Sequence, residues 1–487
     1  GSWNGNVSSL RHNGALELRW LTWAVTHGAR AQEAMADPAL MKALTEAGEN
    51  MHEWLRRLPW GPGNSPLEGF PVYEKWAEEL YTHGDANDDD GYWLQRGLNF
   101  EAYADESADV PTIYSGGWYD SYTRATTDAY VALSKRIAQQ RLLMGPWTHG
   151  GAALERTYSG DVELGPEAPI SGNLSESHRH MALRWFDEWL RGVDDGVAAE
   201  EPVTIFVMGG GDGGKTAQNR LRHGGHWRTE SEWPLARAEA RDYFIHADGG
   251  LVADSEPTDE GGSTSFIYDP EHPLPTVSAN TSSLNEILPV PDRVNIPTPI
   301  TLMRVQVIQG GSDQTTRPSV LGSEPPYGPL IDRSDVISFS TPPLDAPLEV
   351  TGPIEVTLHA SSDAPDTDLF AMVIDVYPPS EDWPDGYRLN ITDSLMRLRY
   401  RNGMDQPTPL QQGEVYEVTF PLYPTSNVFA AGHRIELLIS SSSFPRFDVN
   451  PNTGEPIGRH THVRSAENTL HHSAAYPSKL TLPVIPG

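Results

Sequence analysis

Two short apolar runs, each closed by glycine and separated by one helical stretch, constrain this chain more than any other feature. Val110-Pro111-Thr112-Ile113-Tyr114 is β-prone and ends at Ser115-Gly116-Gly117. The stretch from Ser121 to Ala138 carries helical periodicity, and Arg141-Leu142-Leu143-Met144 is a second apolar run, ending at Gly145-Pro146. Strand, loop, helix, strand, loop is the grammar of a βαβ unit, whose parallel strands put both loops at the carboxyl edge of one sheet. Open α/β sheets carry their sites at that edge. The chemistry is therefore expected in Gly116-Gly117-Trp118-Tyr119-Asp120 and Gly145-Pro146-Trp147-Thr148-His149-Gly150.

The flanking sequence has a different character on each side. Upstream, Leu16, Leu18, Trp20, Leu21 and Val25, then Leu40, Met41, Leu44, Met51, Trp54, Leu55 and Leu58, recur at threes and fours and predict two or three amphipathic helices. Pro59, Pro62 and Pro66 interrupt the pattern, and Val72 to Tyr81 resumes it. Downstream, residues 175–191 predict a further helix with an apolar face, and Pro202 to Met208 another strand. After about Pro234 the helical signal vanishes. Alternating segments such as Val350 to His359, Phe370 to Tyr377, Val415 to Leu422 and Arg434 to Ile439 predict a β-sandwich. The Gly/Ser/Asp-rich piece at 209–217 reads as a surface loop.

Composition narrows the function classes. A net charge of −32 with no Lys/Arg-rich run disfavours nucleic acid and anionic lipid as partners. The absence of cysteine excludes disulfides, thiol nucleophiles and Cys-ligated metal centres. No apolar stretch approaches the roughly 18–20 residues needed to span a bilayer, so a membrane partner is not expected. Compartment stays open between cytoplasmic and secreted, and so does self-association into a homo-oligomer. No cofactor is called for. His471-His472 and His178-x-His180 lack a metal-ligand pattern and read as surface histidines. Asp448 to Gly454 alternates oxygen ligands like a calcium loop, but its glycine falls one place late and position twelve is not Glu, so it reads as a turn near the site mouth. Asp85 to Gly91 fails the same test; it reads as a solvated acidic turn, with a carboxylate cluster for a substrate ammonium group as the sharper alternative.

Asp120 before His149 matches the acid-then-histidine order of α/β-hydrolases, in which the carboxylate accepts the imidazole N–H and fixes its tautomer. Asp120 equally suits a helix N-cap and His149 an ordinary loop histidine, and spacing alone leaves both readings open. Trp118, Tyr119, Tyr122 and Trp147 flank the pair, where aromatics either line a substrate pocket or fill the core.

The words around the pair carry more. Gly117-Trp118-Tyr119-Asp120 and Gly145-Pro146-Trp147-Thr148-His149 resemble the acid and histidine motifs of the cocaine esterase-like serine hydrolases, which include X-Pro dipeptidyl peptidases, α-amino acid ester hydrolases and glutaryl acylases. The similarity continues through Asp335-Val336, Val350-Thr351-Gly352-Pro353, Asp366-Thr367-Asp368, Gly432-His433-Arg434-Ile435 and Ser441-Ser442-Ser443-Phe444-Pro445-Arg446-Phe447. The resemblance implies an α/β-hydrolase sheet with a helical cap, followed by an all-β jelly roll. Residues 1–108 would be the cap, 109–235 the C-terminal half of the hydrolase domain and 236–487 the jelly roll. Asp120 and His149 would be catalytic, acting on a small ester or amide.

The resemblance also implies a serine in a Gly-x-Ser elbow ahead of the cap, and an oxyanion-hole tyrosine upstream. Neither is evident. Ser2-Trp3-Asn4-Gly5 matches part of the elbow without the strand that must precede it. The expectation is that the nucleophile lies in an N-terminal segment or companion chain, and that this chain alone is inactive. A non-catalytic binding protein, using the jelly roll for carbohydrate or partner recognition, is the competing reading.

Overall fold

The computed structural model describes residues 3–83, 91–258, 260–282, 284 and 307–487. The apolar spacing of the first hundred residues gives helices Arg19–Gly28, Pro38–Glu49 and Pro71–Thr82, with shorter turns of helix at Gln32–Ala36 and Met51–Leu55. Proline opens two of them at the position where its missing N–H costs nothing. Asp37 caps one, accepting from the amides of Ala39 and Leu40. Leu21, Val25, Leu44, Met51, Leu55 and Leu80 form their shared core. The acidic turn Asp85 to Asp90, and Ser2, lie outside the described residues.

The βαβ unit is present. Thr112–Gly117 and Gln140–Gly145 pair in parallel, joined by the helix Thr123–Leu133, and Val203–Gly209 lies parallel on the far side of Gln140–Gly145. Thr112–Gly117 ends the sheet and pairs on one side alone among the described residues. After the helix His178–Arg191 and the strand Val203–Gly209, every regular element among the described residues is a β-strand or a short 3₁₀ turn.

The β-rich half forms two layers. One is a four-stranded sheet in the order Ile337–Ser340, Arg434–Ser440, Asp368–Tyr377 and Tyr387–Arg397. The other contains Ser263–Tyr268, Ala466–His471, Glu355–Ser362, Lys479–Ile485, Leu348–Gly352 and Thr425–Phe429. The predicted strand 350–359 is two strands, interrupted at Pro353, which has no amide to give the ladder. The second layer does not stop at the expected boundary near residue 235. Asn427 and Val428 pair in parallel with Met208 and Gly209, so one sheet runs from the sandwich into the α/β layer. Gly209 has φ +95°, and a side chain there would strike the Val428 backbone. Ile205 and Phe206 share one continuous core with Phe339, Val373 and Phe429.

Residues 11–18 thread between the helices and the sandwich. Leu18 donates to the Arg446 carbonyl, Asp448 donates to the Leu16 carbonyl, and Leu16 donates to the Asp448 carboxylate. Asp448 to Gly454, expected as a turn near the site mouth, is not among the residues lining the cavity at Asp120 and His149 and is tied instead to the segment at Leu16. Asp448, Asn450 and Asn452 are buried, because Arg397 needs Asp448 (2.9 Å) and Asp368 (3.0 Å) as counter-charges and Asn450 donates to Asp366 and Asp368. His472 is likewise buried rather than on the surface, with its Nε2 3.0 Å from Thr264 Oγ1.

Candidate active site

The two glycine-ended strands deliver their loops side by side, and the backbone laces them together. Trp118 N donates to Gly145 O at 2.8 Å and Tyr119 N to Trp147 O at 3.1 Å. Both glycines are demanded by space. A Cβ on Gly117 would lie 2.8 Å from the Trp147 carbonyl carbon, and one on Gly145 would enter the Trp147 indole. This lacing brings Asp120 and His149 together. The Asp120 oxygens stand 3.0 and 3.1 Å from His149 Nδ1. Asp120 Oδ1 also accepts from Tyr122 N at 2.9 Å, an Asx turn just ahead of the following helix; the N-cap position is Tyr122, which corrects the reading of Asp120 as the helix cap.

The Asp120 side chain is 13% exposed and that of His149 is 45% exposed. With Nδ1 committed to Asp120, His149 Nε2 has no hydrogen-bond partner among the described residues. The bond to Asp120 raises the His149 pKa above the ordinary value, against the opposing effects of burial and of Arg19. The pair opens on a cavity of about 1210 Å³, whose lining includes Trp20, Trp76, Tyr122, Leu98, Phe100 and Tyr114.

The flanking aromatics divide. Tyr122 lines the cavity, its ring 5.4 Å from that of His149. Trp118, Tyr119 and Trp147 do not, which corrects their assignment to substrate contact. They are at most 2% exposed, and their polar atoms point inward. Trp118 Nε1 donates to Phe206 O, Tyr119 Oη to Asn390 O and Trp147 Nε1 to Ala168 O. They brace the loops from beneath.

Sequence reasoning missed a second group under the site. Arg19 is 3% exposed, with its guanidinium 4.4 Å from the Trp20 ring and 4.7 Å from the Tyr122 ring. It pairs with Glu17, whose other oxygen lies 3.1 Å from His12 Nε2. Burial pushes the Glu17 carboxyl up, but Arg19 and His12 more than offset this and hold it at about 2. Burial pushes the His12 pKa down, against the raising effect of Glu17. The available signal was an arginine on the apolar stripe Leu16, Leu18, Trp20, Leu21, which is costly without a partner. Among the described residues no group of three or more His, Cys, Asp or Glu side chains is arranged to hold a metal ion, and no helix is long and apolar enough to cross a membrane.

Residues 2–151 match the X-Pro dipeptidyl-peptidase (S15 family), and residues 195–481 match the X-Pro dipeptidyl-peptidase C-terminal non-catalytic domain. Cocaine esterase from Rhodococcus sp. (strain MB1 Bresler) is 31% identical over 389 residues, covering 77% of this chain and 56% of that protein. The chain spans about half the length of the curated relatives it matches, 51–56%. In fold, it resembles an aminopeptidase from the marine sediment archaeon Thaumarchaeota archaeon, with a TM-score of 0.71 at 20% identity over 99% of this chain and 71% of that one. It also resembles an α-amino acid ester hydrolase, with a TM-score of 0.67 at 23% identity over 98% and 70% of the two chains. The two family matches, of which the one over residues 195–481 covers more than half of the chain, show that it belongs to the cocaine esterase-like serine hydrolase family, the group that includes the X-Pro dipeptidyl peptidases.

Proposed function

We propose that this chain supplies the acid and the base of a serine acyl hydrolase acting on a small ester or amide. The observation that carries the reading is a carboxylate-held imidazole, Asp120 to His149 at 3.0 Å, whose second nitrogen is uncommitted at the wall of a large cavity. His149 Nε2 takes the proton of a serine hydroxyl as its oxygen bonds to the substrate carbonyl carbon. The same imidazolium then protonates the leaving group as its bond to that carbon breaks, leaving an acyl-enzyme. Water repeats the sequence and frees the acid. Asp120 stays ionised throughout, holding the tautomer and stabilising the imidazolium. Trp20, Trp76 and Tyr122 favour an apolar or aromatic acyl group.

The nucleophile is proposed to come from a polypeptide segment outside the present 487 residues, continuous with them or a companion chain. Two features support this. Thr112–Gly117 offers an unpaired parallel edge among the described residues, and apolar side chains beside it, Tyr114, Ala125, Ala129 and Leu133, line the cavity while packing in a small cluster with Trp3 and Ile137. The test is hydrolysis of a p-nitrophenyl acyl ester by the full-length protein, with and without His149→Ala. A loss on the order of 10³-fold or more is expected. An unchanged rate removes the reading and leaves a binding protein. Intact-mass measurement of native material identifies the polypeptide carrying the serine.

A further inference from the structure

The loop that carries Asp120 is gripped from the β-sandwich at one peptide group. Tyr423 lies in the sandwich, just before the strand Thr425–Phe429, and is 1% exposed. Its hydroxyl donates to Ser121 O at 3.2 Å. That carbonyl belongs to the same peptide unit as the amide of Tyr122, and the Tyr122 amide donates to Asp120 Oδ1 at 2.9 Å. The bonds converge on the carboxylate: Tyr423 O–H donates to Ser121 C=O, the other end of that peptide, Tyr122 N–H, donates to Asp120, and His149 Nδ1–H donates to the same carboxylate. The first bond polarises the peptide and so strengthens the second. Behind Tyr423, the edge of the His12 ring sits 2.9 Å from its oxygen, with Glu17 on the same imidazole nitrogen. Burial pushes the Tyr423 phenol well up, so it remains a donor at any working pH.

We propose that Tyr423 is a positioning residue for the reaction, acting through the Ser121–Tyr122 peptide to hold the Asp120 carboxylate on the His149 ring. The proposal rests on the hydrolase reading of the dyad. Tyr423 touches neither the cavity wall nor His149, and among the loop's supports it acts on the peptide that carries the Tyr122 amide. The hydroxyl fixes the peptide plane, and the plane fixes the direction of the amide that meets Oδ1.

The variant Tyr423→Phe removes the O–H and, with it, the contact of that oxygen with His12. In the full-length protein we expect kcat for a p-nitrophenyl ester to fall about 3- to 10-fold with KM unchanged, the effect of one hydrogen bond on the barrier. His149, followed by NMR through its imidazole nitrogens, should titrate at lower pH than in the parent, because the carboxylate is held less well on Nδ1. The groups acting on that imidazole, Asp120, Arg19 and Glu17, are all retained. Tyr268→Phe is the matched control. It is also a buried phenol of the sandwich, donating to Asn450 O at 3.2 Å, and that bond does not involve the acid loop. It should lower the unfolding midpoint comparably while leaving kcat and the His149 titration alone. Equal His149 titrations in Tyr423→Phe and the parent overturn the proposal, as does a fall in kcat that both variants share. Because the titration is read without turnover, failure of this proposal is separable from failure of the hydrolase reading, which appears as full activity in His149→Ala.

Discussion

Gly117→Ala tests the lacing of the two loops. The added Cβ would lie 2.8 Å from the Trp147 carbonyl carbon and 3.1 Å from Trp147 Cβ. Carbon atoms settle at about 3.5–4.0 Å, so the Trp147 carbonyl must retreat by roughly 0.7 Å or more. The obstacle is backbone, and no rotamer change relieves it. The bond it carries, from Tyr119 N at 3.1 Å, is already near the long end of the N–H···O range and would be lost. His149 is two residues beyond Trp147 and moves with it, away from Asp120. Overpacking of this kind costs about 1–3 kcal/mol of stability, and a displacement near 1 Å in a catalytic pair costs about 10²-fold in rate. The assay is kcat/KM on a p-nitrophenyl ester in the full-length protein, with Gly151→Ala as control, since a Cβ there meets nothing within 4 Å. If Gly117→Ala hydrolyses within about twofold of Gly151→Ala, the lacing does not set the dyad and the argument fails.

Asp120→Asn removes the main cause of the raised His149 pKa. A general base must be neutral, so activity falls as pH drops through that pKa; the acid limb should lie above the ordinary histidine value in the parent and move down in the variant, on a reduced plateau. The same raised pKa makes the folded state bind a proton more tightly, so its stabilising contribution is full below the unfolded value near 6.5 and is lost as pH rises through the folded one. Chemical denaturation across that range should show it, and Asp120→Asn should flatten it. Trp76→Ala should raise KM for aryl esters about tenfold, and Trp147→Ala should cost about 3–5 kcal/mol in denaturant unfolding, because the first lines the cavity and the second fills the core. Arg19→Met leaves Glu17 buried without its main counter-charge and should cost about 3–5 kcal/mol; partial recovery in the double variant Arg19→Met/Glu17→Gln would confirm that the cost is electrostatic.

What the sequence made legible was whatever repeats locally. The 3.6-residue spacing located the helices at Arg19–Gly28, Pro38–Glu49 and Pro71–Thr82, and the glycine-closed runs located the two strands whose loops meet. Asp120 and His149 were legible because parallel strand order alone puts their loops at one edge. The side that each neighbour faces was not. Trp118, Tyr119 and Tyr122 are all aromatic, yet the turn after Gly117 sends the first two inward and leaves the third at the cavity. Residue type does not encode that choice; the space at Gly117 and Gly145 does, because it is filled by Trp147. The group His12, Glu17, Arg19, Asp393, Tyr423 and Arg446 joins parts of the chain some four hundred residues apart, with no pattern at any short spacing.

The sandwich does more for the site than cover it. A dyad carried on two loops would be expected to wander, since loops have few contacts of their own. Here every residue from Trp118 to Tyr122 is tied to something outside its loop. Asn280 donates to the Trp118 carbonyl, Tyr119 to Asn390 O, Asp120 meets His149, Tyr423 reaches Ser121, and Arg19 lies over Tyr122. Three of those five partners, Asn280, Asn390 and Tyr423, come from beyond residue 235. The α/β layer is joined to the same body by the parallel pairing at Asn427, so strand ends and loop supports move together. A catalytic pair must be held to within about 0.5 Å, and that tolerance is reached when the supports belong to the rigid element that bears the strands. On the proposed function, the β-rich half is part of what holds Asp120 in place, although it contributes neither member of the dyad.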